Sequence, residues 1–194
     1  RIKTGEKIVN FKISLPGEVD MPGDILALIR ERRSVRRFRP DPVPSETITA
    51  LLEAARWAPS AGNLQPWFFY VVAGQKEKDM LAKAAWDQRF VAAAPVLLVA
   101  CAEPERSARV YGDRGRRLYC YQDTAAAVQN ILLAASSLGL GACWVGAFRE
   151  EEVRLCLATP PGRVPVAIVP VGYPAGETEH RPGRRELAEI VGYV

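Results

Sequence analysis

The sequence predicts a single domain of mixed helix and strand in which long helices carry most of the core. Three observations lead there. Residues 123–138 hold the strongest helical period, with Val128, Ile131, Leu132, Ala135 and Leu138 on one face. Apolar runs at residues 67–72, 96–101 and 164–171 have the length of buried strands and are set off by Pro, Gly or charged residues. The 194 residues, 48% hydrophobic and 25% charged, suffice for one domain with a real core.

The elements follow in order. Residues 7–15 alternate in part through Val9, Phe11, Ile13 and Leu15, so residues 1–20 are read as an arm that packs on the body or on a partner subunit. Residues 21–194 form the domain. Pro22-Gly23 breaks the chain, and Asp24 can cap a helix striped by Ile25, Leu28 and Ile29. Ser45 is the expected N-cap of the next helix, with Glu46 favourable near its positive end. Ile48, Leu51, Leu52 and Ala55 give that helix its apolar face, and Pro59 stops it. A short helix at 77–85 precedes the strand that Pro95 introduces. Residues 103–117 are polar, Arg-rich and interrupted by Gly112 and Gly115, which predicts a loop over a site. Ala125, Ala126, Ala127 and Ala134 let the long helix pack closely, and Gly139 and Gly141 end it. A strand near 142–145, a helix near 150–157 and the strand at 164–171 complete the body. The tail is polar at first and closes with Leu187, Ile190 and Val191.

Charge narrows the partners. The net charge is +4, but the basic residues lie in clusters at 30–39, 114–117 and 181–185 with acidic residues between them. Local anion sites account for this better than a continuous basic face, and no nucleic-acid partner is expected. No apolar run reaches the roughly 18 residues of a membrane span, and no signal sequence is legible, so a cytoplasmic protein without a membrane partner is expected. The four cysteines form no CxxC pair and are expected to be reduced. His180 is the only histidine, so no metal site is expected. Ser-His-Asp and Cys-His catalysis are also excluded unless His180 itself is the base.

Four constellations carry chemistry, each beside a plainer reading. Arg32, Arg33 and Arg36 surround Ser34. Their forked guanidinium groups and the hydroxyl suit a phosphate, although cations also complement a helix C-terminus. Residues 58–67 read Ala-Pro-Ser-Ala-Gly-Asn-Leu-Gln-Pro-Trp. There the amides of Asn63 and Gln65 alternate with apolar residues, as in the wall of a half-buried planar ligand, or else the loop serves backbone geometry. A phosphorylated cofactor with a flat ring, flavin mononucleotide, fits both stretches. Residues 139–146 read Gly-Leu-Gly-Ala-Cys-Trp-Val-Gly, which is not a dinucleotide fingerprint. Gly139 and Gly141 suit a helix end, whereas Gly146 can bring backbone close to a ligand. Arg181, Arg184 and Arg185 form either a second phosphate arm or a solvated tail.

These stretches, with Arg-Arg-Glu-Leu-Ala-Glu-Ile-Val at 184–191, resemble the FMN-dependent nitroreductase family over roughly residues 23–194. The resemblance implies an α+β fold with a central, mostly antiparallel sheet flanked by helices. It also implies an interlocked homodimer holding two FMN molecules at the subunit interface. It places Arg32 and Ser34 on the FMN phosphate, with Arg33 in the same cluster, and Arg36 near the N1 and C2 carbonyl edge. Asn63, with Gln65 beside it, would meet the ring edge, and Pro59, Ser60 and Ala61 would come from the other subunit. Val145 and Gly146 would offer backbone groups near N5 and O4. Arg184 would close on the phosphate, with Arg181 and Arg185 less cleanly aligned. NAD(P)H would be the reductant and nitroaromatics, quinones or related acceptors the oxidant, in ping-pong turnover through one site. No side chain would act as general acid or base, because the chemistry is the cofactor's. Dehalogenation, enone reduction, flavin breakdown and a non-catalytic flavin sensor remain open alternatives on the same fold.

Overall fold

Seven consecutive apolar residues build the centre of the molecule. In this computed structural model, which describes residues 25–176 and 183–194, strand β2 (Val96–Ala102) is buried along its whole length. A strand covered on both faces reads as a continuous apolar run, which is why no alternation marks it in the sequence. It is flanked by β1 (Trp67–Val72) and β4 (Val164–Gly172), and β3 (Gly141–Ala142) closes the sheet beyond β4. All three pairings are antiparallel, in the order β1-β2-β4-β3. The register sets Val99 opposite Tyr70 on one side and opposite Ile168 on the other. The expected α+β class with an antiparallel sheet is what the chain adopts.

Successive side chains of β2 go to opposite layers. Val96, Leu98 and Ala100 pack with Leu51 and Ala55 of α2 (Ser45–Arg56) and with Val128, Ile131 and Ala135 of α6 (Cys120–Ser137). Leu97 and Val99 face α3 (Gln75–Ala84), α4 (Arg89–Ala93) and α7 (Glu150–Cys156) through Leu81, Val91 and Val153. Each such Leu, Ile or Val stabilises the fold by about 1.5–3 kcal/mol through burial. The end of α6 is closed by two bonds, Gly139 N–H to Ser136 O (3.2 Å) and Leu140 N–H to Ala135 O (2.8 Å), with Gly139 left-handed at φ 71°. That paired closure is the helix stop predicted for this glycine.

Several expectations are corrected. The predicted loop at 103–117 is α5 (Pro104–Arg114), followed by a π-turn at Gly115–Tyr119 that runs into α6. Pro104 opens α5, and Gly112 (φ 56°, ψ −138°) breaks its regularity without ending it. The long helix therefore starts at Cys120 rather than Asp123. Ser45 is the first residue of α2 and makes no side-chain cap, since Pro44 takes the N-cap position. The strand expected at 142–145 is only Gly141–Ala142, with Val145 rejoining the sheet through a single bridge to Ile168. Helix α4 was not anticipated, and the first helix is α1 (Ile25–Glu31). The arm at 1–20, the Asp24 cap, His180 and Arg181 lie outside the described residues.

Candidate functional site

Residues 32–36 leave α1 and join the sheet edge. Ser34 forms a parallel bridge to Ala142, and Val35 N–H donates to Ala142 O at 3.0 Å. Gly141 permits this approach, because a Cβ there would sit 2.6 Å from the Cβ and Cγ1 of Val35. In extended chain, alternate residues share a side. Val35 is accordingly buried at 8% exposure, and Arg33 turns back to donate to the carbonyls of Arg30 and Arg32 at the helix end. Arg32, Ser34 and Arg36 take the other alternation. Nearby, burial pushes the Cys143 thiol up, while the Arg36 guanidinium, the Ser34 hydroxyl and Arg32 draw it back down. Arg36 also lies 5.8 Å over the Phe90 ring. Beside this cluster, Val145 spends both backbone groups on Ile168, at 2.9 Å each, and exposed Gly146 follows.

The second polar stretch is a strained loop. Gly62, Asn63 and Gln65 are left-handed, at φ 57°, 55° and 51°. Such a backbone persists only where its surroundings over-determine it. Ser60 supplies two of the restraints: its carbonyl accepts from Asn63 N–H (2.9 Å) and its hydroxyl from Gln65 N–H (3.0 Å). The Gln65 amide donates to Asn63 Oδ1 at 3.2 Å. Pro59, Gly62 and Asn63 are exposed, and Ala61 and Gln65 half-buried. The loop rests on α5, where Arg106 donates to Leu64 O and the Tyr111 hydroxyl sits 2.7 Å from where a Cβ on Gly62 would be.

The two stretches do not meet. Ala61 is bonded to Asp123 near the start of α6, whereas Ser34 pairs with Ala142 just past its end. From Asp123 to the helix end at Ser137, α6 runs about 21 Å. In the tail, Arg185 is committed to Glu189, with Nε 3.2 Å from Oε2, and Arg184 Nη1 donates to Gly183 O at 3.1 Å.

Comparison with known proteins decides the family. The profile of the nitroreductase family matches residues 29–89 and 82–173. The chain belongs to the nitroreductase family. A Methanothermobacter thermautotrophicus protein provisionally named NADH dehydrogenase/NAD(P)H nitroreductase is 36% identical over 183 residues, covering 92% of this chain and 90% of that protein. The oxygen-insensitive NADPH nitroreductase of Salmonella typhimurium is 31% identical over 173 residues, 86% of this chain and 71% of that enzyme. Among solved structures, the NADPH:FMN oxidoreductase of Vibrio harveyi in complex with NAD+ superposes with a TM-score of 0.78 at 27% identity, covering 87% of this chain and 76% of that one.

Against the nitroreductase expectation, two residues stand out that the sequence did not mark. Asp123 of α6 and Arg106 of α5 both bond to the backbone of the 60–65 loop, while Tyr111, which the sequence offers as a substrate contact or a surface tyrosine, lies against Gly62. Asp123 reads in sequence as an ordinary acidic residue at a helix start. Two clefts of about 410 and 470 Å³ flank α5, and neither includes a residue of the Arg32 cluster. No group of three or more His, Cys, Asp or Glu arranged for a metal occurs among the described residues, and no described helix is long and apolar enough to cross a membrane.

Proposed function

We propose that this chain is an FMN-dependent NAD(P)H oxidoreductase that acts as a homodimer on nitroaromatic, quinone or related acceptors. One observation supports the reading: the phosphate-type donors attach past the C-terminal end of α6 and the amide loop attaches near its start, so in one chain the two sets stand at opposite ends of the helix. Two copies related by a two-fold axis would bring the Arg32 end of each to the 59–65 loop of the other, giving two equivalent sites. The apolar surface that such a pairing would cover exists. Ile25, Leu26 and Ile29 of α1 are 48–54% exposed, and Leu187 and Ile190 of the tail 50% and 59%.

The residues fit the cofactor by their donor chemistry. Arg32, Ser34 and Arg36 fall on one alternation of the segment, and all three lower the pKa of the Cys143 thiol that burial raises, so positive field and a hydroxyl lie near it. That is the arrangement a phosphate and an electron-rich ring edge require. Arg32 and Ser34 would bind the phosphate, with Arg184 closing on it. Arg36 would place fixed positive charge beside the pyrimidine edge of the ring. Arg33 is held at the helix end and Val145 in the sheet, so Gly146 would offer the backbone group. From the partner, Pro59, Ser60 and Ala61 would wall the site. Asn63 accepts from Gln65 and would turn its own amide donors to the ring edge. When bound, FMN would supply hydride transfer between nicotinamide and acceptor. The chain's part would be to orient it, stabilise the charge it acquires and exclude water.

The test is a visible spectrum of the protein after incubation with FMN and desalting, followed by anaerobic NADPH or NADH, with the mass measured by sedimentation. A retained flavin band that bleaches, on a dimer, supports the proposal. A monomer that retains no flavin overturns it. A dimer that holds flavin but does not bleach would favour the sensor.

A further inference from the structure

We infer that Asp123 is a positioning residue for the flavin site proposed above: its carboxylate, through the Ala61 N–H, sets the backbone of the 60–65 loop that one subunit presents to the other's cofactor. The inference rests on that proposed function and deepens it.

The geometry is specific. Ala61 N–H lies 3.2 Å from Oδ1 and 3.2 Å from Oδ2, a shared bond to both carboxylate oxygens. The next residue of α6, Thr124, donates its hydroxyl to Pro66 O at 3.3 Å and to Cys120 O at 2.7 Å. One turn of α6 thus grips the loop at its entry and its exit. Between those two points lie all three left-handed residues, Gly62, Asn63 and Gln65. Strain of that kind needs fixed ends, and α6 is the fixed body, with Val128 and Ile131 fully buried below.

The bland explanations for an aspartate here fail. Asp123 is 8% exposed and makes no ion pair among the described residues, so it is not a surface charge or half of a salt bridge. It does not cap a free helix end, because the π-turn at Gly115–Tyr119 continues straight into α6. Burying an unpaired carboxylate is costly, and burial does push its pKa up while the Ala61 N–H draws it down. What it does is hold one backbone donor at the head of the loop. A charged acceptor makes that bond stronger than one to a neutral oxygen.

Three single variants and one double variant test this against loss of folding. Asp123→Ala removes the acceptor. Asp123→Asn keeps an oxygen in place without the charge. Ala61→Pro removes the donor while suiting the start of a short helix, and Ser60, at φ −146° and ψ 151°, already has the conformation a residue before proline adopts. Each is measured as apoprotein for melting temperature, then titrated with FMN and scanned for the flavin band. D123A and A61P are expected to weaken FMN binding about tenfold, the scale of one charge-assisted hydrogen bond, and to shift the flavin band. D123N is expected to recover most of the binding, and the D123A/A61P double variant to be no worse than either single change. Wild-type binding of FMN with unaltered affinity and spectrum in D123A overturns the inference alone. So does a loss in D123N as large as in D123A, or a loss that merely follows a lowered apoprotein melting temperature. If D123A does not fold, A61P and D123N carry the same comparison. A wild-type chain that takes up no FMN overturns the proposed function, and this inference with it.

Discussion

The two ends of α6 hold their neighbours in opposite ways. At the C-terminal end, the 32–36 segment is pinned by main chain: a bridge to Ala142, a buried Val35 and the close approach that Gly141 allows. Its pinning uses backbone and one apolar side chain, so the side chains of Arg32, Ser34 and Arg36 take no part in it. At the N-terminal end, the 60–65 loop is pinned by side chains. Ser60, Asp123 and Arg106 bond to its backbone, Thr124 bonds to Pro66 just after it, and even Gln65 donates to Asn63. The first region is charge on a rigid edge. The second is shape held under strain. The difference teaches that substitutions at the first should act on ligand binding with little effect on folding, and those at the second on both.

The largest expected break is Arg32→Ala. Loss of one guanidinium from a phosphate site should weaken FMN binding by about a hundredfold, read by fluorescence titration, with the apoprotein melting temperature nearly unmoved. Unchanged flavin affinity would remove Arg32 from the site. Next comes Gly141→Ala, which strikes the pinning rather than the charge. Its new methyl meets Val35 at 2.6 Å, and Val35 is held by the core, so a destabilisation of about 1–3 kcal/mol is expected, seen in denaturant titration. A variant as stable as wild type would show that the 32–36 edge can shift freely.

At the other end, Ser60→Ala removes the acceptor for Gln65 N–H. A loss of about 1 kcal/mol in stability and a parallel weakening of flavin binding are expected, in contrast to Arg32→Ala. A change in binding without a change in stability would erase the contrast. The smallest effect is on Cys143. Its thiol is raised by burial, with Arg36 the leading opposing influence, so Arg36→Ala should raise it further. The alkylation rate of Cys143 against pH, followed by mass spectrometry, should then move to higher pH. The wider core gives the matching sign. Cys101, pushed up to about 12 by burial, stays protonated when folded but ionises near its ordinary 9.0 when unfolded. Folded stability should therefore fall as pH climbs from about 9 towards 12, and less steeply in Cys101→Ala.

How much was legible in sequence follows from the same physics. The strands showed because β2 and β4 are buried on both faces, and α6 showed because its buried side is almost wholly apolar. Helix α5 did not, because only Pro104 and Ser107 of its residues are buried and it therefore has no apolar stripe to read. The Arg32 cluster was legible because guanidinium groups announce their chemistry wherever they sit. That Arg33 would part from Arg32 and Arg36 was not, since it depends on the bridge at Ser34. Asp123 was invisible because its partner is a backbone N–H sixty-two residues away, and a main-chain donor leaves no trace in a sequence.

The length of α6 has a genetic consequence. If each pocket of the assembly takes its arginines from one copy and its loop from the other, two damaged copies need not make a dead dimer. A subunit lacking Arg32 paired with one lacking the grip of Asp123 has one pocket with both defects and one with neither. Co-expressed, the two weakened variants should give every mixed pair one pocket with wild-type flavin affinity, an outcome a site contained within one chain could never produce.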